Sequence, residues 1–184
     1  MQSPIDGVLQ IVKANRLSAE DIARIEIGLL SAGYGIIAAP KELKYKVKTT
    51  VDAQFSMPYG AAIAVVKERA FLEEFLERNI RLPVVADLMA KVVCTADPEL
   101  DKFYPRHWPA WVKIEASGGR AYSAEVMYPK GDPENPLHWD EIIEKFMQLT
   151  HPVLAGHKQE QIIECVRIME KQSDVSTLLD LCSM

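Results

Sequence analysis

Cysteine is scarce in this chain. Only Cys94, Cys165 and Cys182 occur in 184 residues. An odd number, with no CxxC and no histidine at ligand spacing, argues against a disulfide framework or a zinc site and leaves reduced cysteines in a cytoplasmic protein as the expectation. Positive charge is not in excess either. Lys and Arg total 21 against 26 Asp and Glu, a formal charge of −5, so the footprint of a nucleic-acid-binding protein is missing. No apolar run approaches the ~18 residues of a membrane helix. The opening MQSPIDG has neither the basic patch nor the apolar core of a signal peptide. No glycine-rich phosphate loop, HExxH or GxSxG is found, and His107, His138, His151 and His157 stand singly, as surface or loop residues do. No metal site is expected.

What is present is a globular composition, 48% apolar and 26% charged, sized for one domain or one domain and part of another. Ile5, Val8, Leu9 and Val12 mark a helix over 5–14. Ser18 with Asp21 resembles a capping box, and 22–30 reads as a strand. A further extended piece is expected over 34–39, ended by Pro40. Lys44, Lys46 and Lys48 alternate with Tyr45 and Val47, which on an edge strand places three ammonium groups on one face, as a guard against edge pairing or a basic lip for an anion. Pro58 to Lys67 reads as a buried small-residue helix capped by Ser56, with helices over 71–77 and 83–92 and a short strand over 92–95. Two alternating segments, Val112 to Ala116 and Tyr122 to Val126, flank Ser117-Gly118-Gly119-Arg120 and predict a β-hairpin. The proline-rich loop 128–136 follows. Beyond it come three helical stripes: Trp139, Ile142, Ile143 and Phe146; Ile162, Ile163, Val166 and Met169; Val175, Leu178, Leu179 and Cys182. The fold class is therefore α+β, a mainly antiparallel sheet packed with helices, followed by an all-helical C-terminal segment. The boundary divides an α+β domain, 1–135, from a helical segment, 136–184, whose stripes seek an apolar partner.

One segment combines polar groups with a helix start: Asp52-Ala53-Gln54-Phe55-Ser56-Met57-Pro58-Tyr59-Gly60-Ala61. A helix N-terminus presents unpaired N–H donors that suit a carboxylate. A tyrosine hydroxyl there either donates a proton to a reacting group or is a core aromatic whose hydroxyl caps a neighbour.

DAQFSMPYGAAIAV (52–65) resembles the signature block of the 2-methylcitrate dehydratase, or MmgE/PrpD, family. Three more stretches are similar in the same order: SPIDGVLQIVKANRLSAEDIARIEI (3–27), DPELDKFYPRHWPAWVKIEASGGRAYSAEV (97–126) and YPKGDPENPLHWDEIIEKF (128–146). The resemblance implies the smaller α+β lid domain of a much longer enzyme plus its C-terminal return to a large helical domain. Members include 2-methylcitrate dehydratase of propionate metabolism, cis-aconitate decarboxylase and iminodisuccinate epimerase. All act on small di- or tricarboxylates without metal or organic cofactor, by proton transfer next to a carboxylate. Carried over residue by residue, Tyr59 is the catalytic candidate, with Gln54, Ser56 and Lys130 as substrate-binding candidates, the structural role being the favoured one for Lys130. The family's Lys/His motif would lie at or before residue 1, near Gln2. The resemblance thus implies that the helical domain is the partner and that this chain alone turns over nothing.

A second expectation is a non-catalytic carboxylate-binding or oligomerisation module that keeps the lid fold. On either reading, helices over 137–149 and 158–182 should bury their stripes on another surface, giving a homodimer or higher oligomer.

Overall fold

The computed structural model describes residues 1–183. They form two compact units, Met1 to Pro136 and a second starting at Leu137.

In the first unit, helix α1 (Gln2–Asn15) turns Gly7, Val8, Ile11 and Val12 inward and ends at Arg16 in the left-handed conformation, φ 52°. A Cβ on Gly7 would lie 2.9 Å from Val112 Cγ2, so this glycine sets how closely the helix lies on the sheet. Strand β1 (Ile22–Leu29) follows the Ser18 turn, where the Asp21 carboxylate accepts from the Ser18 backbone N–H at 2.8 Å and the Ser18 hydroxyl at 2.7 Å. Next come α2 (Ser31–Ile37), α3 (Lys41–Lys44), α4 (Thr50–Gln54), α5 (Met57–Lys67), α6 (Glu77–Ile80) and α7 (Pro83–Met89). Strands β2 (Val92–Ala96), β3 (Ala110–Ala116) and β4 (Ala121–Val126) complete the unit.

The sheet order is β2-β1-β3-β4. It is mainly antiparallel but mixed: β1 pairs antiparallel with β3 (Ile27 opposite Val112), and β3 with β4 (Ile114 opposite Tyr122). The β1–β2 pair, Ile25 opposite Val92, is parallel, because a crossover of helices α2 to α7 separates the two strands. Helices α1 and α5 contribute to a core with Ile22, Ile25, Ile27 and Ile114, each 0% exposed. Away from this core, Trp111 lies against Gly28, where a Cβ would fall 2.0 Å from the indole Nε1, and the indole donates to Asp97 at 2.7 Å. Lys113 bridges Glu26 and Glu115 beside it.

Three segments differ from the sequence expectation. Residues 34–39 are not extended; they belong mostly to α2, whose start is held from far along the chain. The Asp101 carboxylate accepts from the Ser31 N–H at 2.8 Å and its hydroxyl at 2.6 Å. Lys44, Lys46 and Lys48 lie on no strand: α3 ends at Lys44, and the Tyr45 hydroxyl donates to the Val92 carbonyl at 2.5 Å. Local alternation is outweighed there by a side-chain anchor to β2. Over 71–77 the helix is broken into a 3-10 turn, Glu73–Phe75, before α6.

The second unit holds α8 (Trp139–Thr150), α9 (Gly156–Arg167) and α10 (Ser176–Cys182). The Glu141 carboxylate caps α8, accepting from the His138 N–H at 2.7 Å. Gln159 ties α9 to the end of α8, donating to the Met147 carbonyl at 3.0 Å and Thr150 Oγ1 at 2.7 Å. The α8 and α9 stripes enclose a small apolar recess of about 160 Å³.

Candidate functional site

The segment with the family-like signature folds as two capped helices. Thr49 and Asp52 form a reciprocal cap on α4: Asp52 N–H donates to Thr49 Oγ1 at 3.1 Å, and Thr49 N–H to the Asp52 carboxylate at 3.0 Å. These bonds hold the Asp52 carboxyl below its ordinary range, the Lys48 N–H contributing most. Ser56 caps α5. Its hydroxyl donates to the Lys44 carbonyl at 2.5 Å and accepts the Tyr59 N–H at 3.1 Å. Ser56 is fully buried, with its hydroxyl bonded to two backbone partners.

Tyr59 is placed in the core, 0% exposed. Its ring packs 5.6 Å from that of Phe75, and its hydroxyl donates to the Glu74 carbonyl at 2.5 Å. Burial, with the Glu74 charge second, pushes its pKa up to about 12. In this conformation the phenol is sealed in the core and holds the chain around Glu74. Glu74 is itself buried. Burial raises its pKa, but Arg69, which donates through Nε and through a terminal nitrogen at 3.0 Å, and the Phe71 N–H at 2.9 Å outweigh that and leave it lowered.

A cleft of about 440 Å³ opens on another side of α4. Five chain segments meet there: the start of α1, the β1–α2 junction, the α4–α5 junction, Trp108-Pro109, and Pro129. Leu30, Ile36, Ile37, Phe55 and Trp108 supply apolar walls, and Gln2 and Gln54 supply polar edges. Ser3 beneath it is buried, its hydroxyl donating to the Trp108 carbonyl. Among the described residues no ionisable side chain lines the cleft. Of the expected binding residues, the structure brings Gln54 to this cleft. Lys130 sits one residue beyond the lining Pro129, its N–H donating to the Asp6 carboxylate at 2.8 Å. Burial raises the Asp6 pKa against the lowering effect of Lys130.

The loop 128–136 is held by its own bonds, with Gly131 at φ 104° and its N–H donating to the Asn135 carbonyl at 2.8 Å. Asp6 therefore joins the first and last of the family-like blocks. Sequence reasoning did not single out Asp6, Phe55 or Trp108, although all lie within the quoted blocks; no local periodicity marks them, because only the folded chain brings them together. Among the described residues no group of three His, Cys, Asp or Glu side chains is arranged to hold a metal ion. Among the described residues no helix is long and apolar enough to cross a membrane.

Fold and site together define an α+β domain with a mainly apolar cleft, lined among the described residues by no acid or base side chain, and a separate helical unit. The chain belongs to the MmgE/PrpD family: the model of the MmgE/PrpD C-terminal domain matches residues 1–171. It is 31% identical over 147 residues to the cis-aconitate decarboxylase-like protein oryM of Aspergillus oryzae, covering 79% of this chain and 29% of that protein. It is 26% identical over 170 residues to the cis-aconitate decarboxylase of Aspergillus terreus, covering 91% of this chain and 34% of that protein. The chain thus spans about a third of the length of these curated relatives.

Proposed function

We propose that the chain is the C-terminal-domain part of a cofactor-independent enzyme acting on a small di- or tricarboxylate, of the kind typified by 2-methylcitrate dehydratase and cis-aconitate decarboxylase, in the cytoplasm. The reaction class is proton transfer at a carbon next to a carboxylate. Such a step needs a base, an acid and cationic or N–H groups for the carboxylates. The cleft here supplies apolar walls and neutral amides, so the remaining groups come from the family's helical domain, the proposed partner of this chain. Residues 1–135 act as the lid and 136–184 as the segment that packs on that domain. Gln54 lines the substrate side of the lid. Lys130 is a positioning residue through Asp6, and Ser56 shapes the α5 start. Tyr59 serves the reaction as a proton donor only if its bond to the Glu74 carbonyl opens.

The observation that carries this reading is the family match over 1–171 in a chain spanning about a third of its relatives. The test is complementation. The chain is assayed with cis-aconitate and 2-methylcitrate, alone and mixed with the helical domain of a family enzyme lacking this part. No turnover alone and turnover on mixing support the reading; steady turnover by the chain alone, or none on mixing with a partner that binds it, sinks it. The second reading, a non-catalytic carboxylate-binding or oligomerisation module, draws on the burial of Tyr59 and the lack of ionisable side chains in the cleft. It expects binding or self-association without turnover in any mixture.

A further inference from the structure

Between α5 and α7 the chain is built differently from the rest of the first unit. Residues 71–80 hold the 3-10 turn, Glu73–Phe75, and the short helix α6, and Leu72, Glu73, Leu76, Glu77 and Arg78 are exposed. The segment bonds mostly to itself. The Phe71 N–H donates to the Glu74 carboxylate at 2.9 Å, Asn79 Nδ2 donates to the Glu73 carbonyl at 2.7 Å, and Arg69 pairs with Glu74 at 3.0 Å. The buried polar side chains Glu74 and Asn79 thus find partners close by in sequence. Among the described residues, one hydrogen bond joins 71–80 to a residue beyond 69–82: the Tyr59 hydroxyl donates to the Glu74 carbonyl at 2.5 Å. The Phe75 ring, 5.6 Å from that of Tyr59, adds an aromatic contact beside that bond. The flanks are suited to act as pivots. Glu68 ends α5 in the left-handed region at φ 49°, and Pro83 starts α7.

From this arrangement we infer that residues 69–82 form a strap that opens as a unit while the sheet and α5 stay folded, with the Tyr59 hydroxyl as its catch. A segment that buries few apolar groups and meets its surroundings through few bonds opens at lower cost than the whole domain unfolds. Arg69 and Phe71 travel with Glu74, so the carboxylate stays paired in the open form and no lone charge is left in the interior. Closed, the strap seals the phenol of Tyr59 and the ring of Phe75; open, it presents both. In the context of the proposed carboxylate enzyme, on which only the purpose of the strap rests, opening is the step that makes Tyr59 available to substrate.

The experiment is nitration of the full chain by tetranitromethane under native conditions, with the rate at each tyrosine read by peptide mass spectrometry. Tyr104, 48% exposed, gives the rate of an open phenol, and urea unfolding gives the globally unfolded fraction. Tyr59 is expected to react more slowly than Tyr104, yet at least about tenfold faster than the globally unfolded fraction allows. Its rate should be nearly independent of urea below the unfolding transition, a readout that needs no variant. Phe75→Leu, which removes the aromatic contact of the closed strap, should raise the Tyr59 rate about fivefold. Ile114→Val, which lowers global stability from within the sheet, should leave that rate unchanged. A Tyr59 rate that climbs with urea along the full unfolding slope, that follows global stability in both variants, or that Phe75→Leu does not move would each overturn the inference. Turnover in the complementation assay with Tyr59 protected to the level of global unfolding overturns this inference alone; strap opening with no turnover on mixing counts against the enzyme reading alone.

Discussion

The two compact units treat similar apolar stripes differently. In the first, α1 and α5 press theirs against a sheet, and Val8, Val12, Ile63 and Ile114 are all 0% exposed. In the second, α8 and α9 carry stripes as regular as those of α1, yet Ile142 remains 41% exposed and the pair closes only on a small recess. A sheet offers a broad flat surface that covers several helices at once, whereas two short helices cover only the seam between them. The same amphipathic pattern is therefore a core in one unit and an apolar surface in the other.

The largest effect that sharpens this contrast is core truncation. Ile114→Ala should lower the stability of the first unit by about 2–5 kcal/mol, while Ile142→Ala should cost well under about 1 kcal/mol, read by urea unfolding with probes in each unit. Equal costs would break the comparison. Tyr59→Phe comes next. Removing the hydroxyl strands the Glu74 carbonyl, at a cost of about 1–3 kcal/mol. If the phenol is only structural, the complemented enzyme keeps its kcat once folded; a collapse of kcat with unchanged stability reveals a proton donor that reaches substrate after rearrangement.

Smaller still are the pH effects. The folded pKa of Glu74 is lowered, so its contribution is present above the unfolded value of about 4.5 and is lost as pH falls through the folded value. Asp6 has the opposite sign: its raised pKa means that the ionised form costs stability once pH exceeds the folded value. Glu74→Gln should flatten the acid limb of the stability profile, and Asp6→Asn, which keeps an acceptor for Lys130, should raise stability slightly near neutral pH. The last effect concerns association. We expect the exposed α8 face to support a homodimer, and Ile142→Lys with Ile163→Lys to shift the light-scattering mass toward the monomer without lowering the stability of the first unit. A wild-type chain that is monomeric at every concentration removes the need for a second surface.

Much of the fold was legible where the controlling contacts are local. The Ser117–Arg120 turn has Gly119 at φ 82° between two alternating segments, and both hairpin strands form there. Ser56 and Pro58 mark the start of α5, where their chemistry places it. The α2 helix was not legible, because its capping carboxylate, Asp101, comes from far along the chain. The lysine alternation misled for the same reason, Tyr45 being anchored to Val92. At the site, Gln54 reached the cleft, but Tyr59 turned into the core to meet a carbonyl that no spacing rule associates with it.

Composition, periodicity and turn chemistry determined the class of this protein by themselves: an acidic α+β chain with a hairpin, capped helices and a helical tail. Those signals act between residues a few positions apart, where backbone sterics and hydrogen bonding leave few choices. Which side chains face a cleft and which are sealed was decided by tertiary structure alone. Five separate segments had to converge before Gln2, Gln54 and Trp108 shared one wall, and burial follows from the arrangement of the whole chain rather than from any stretch of it.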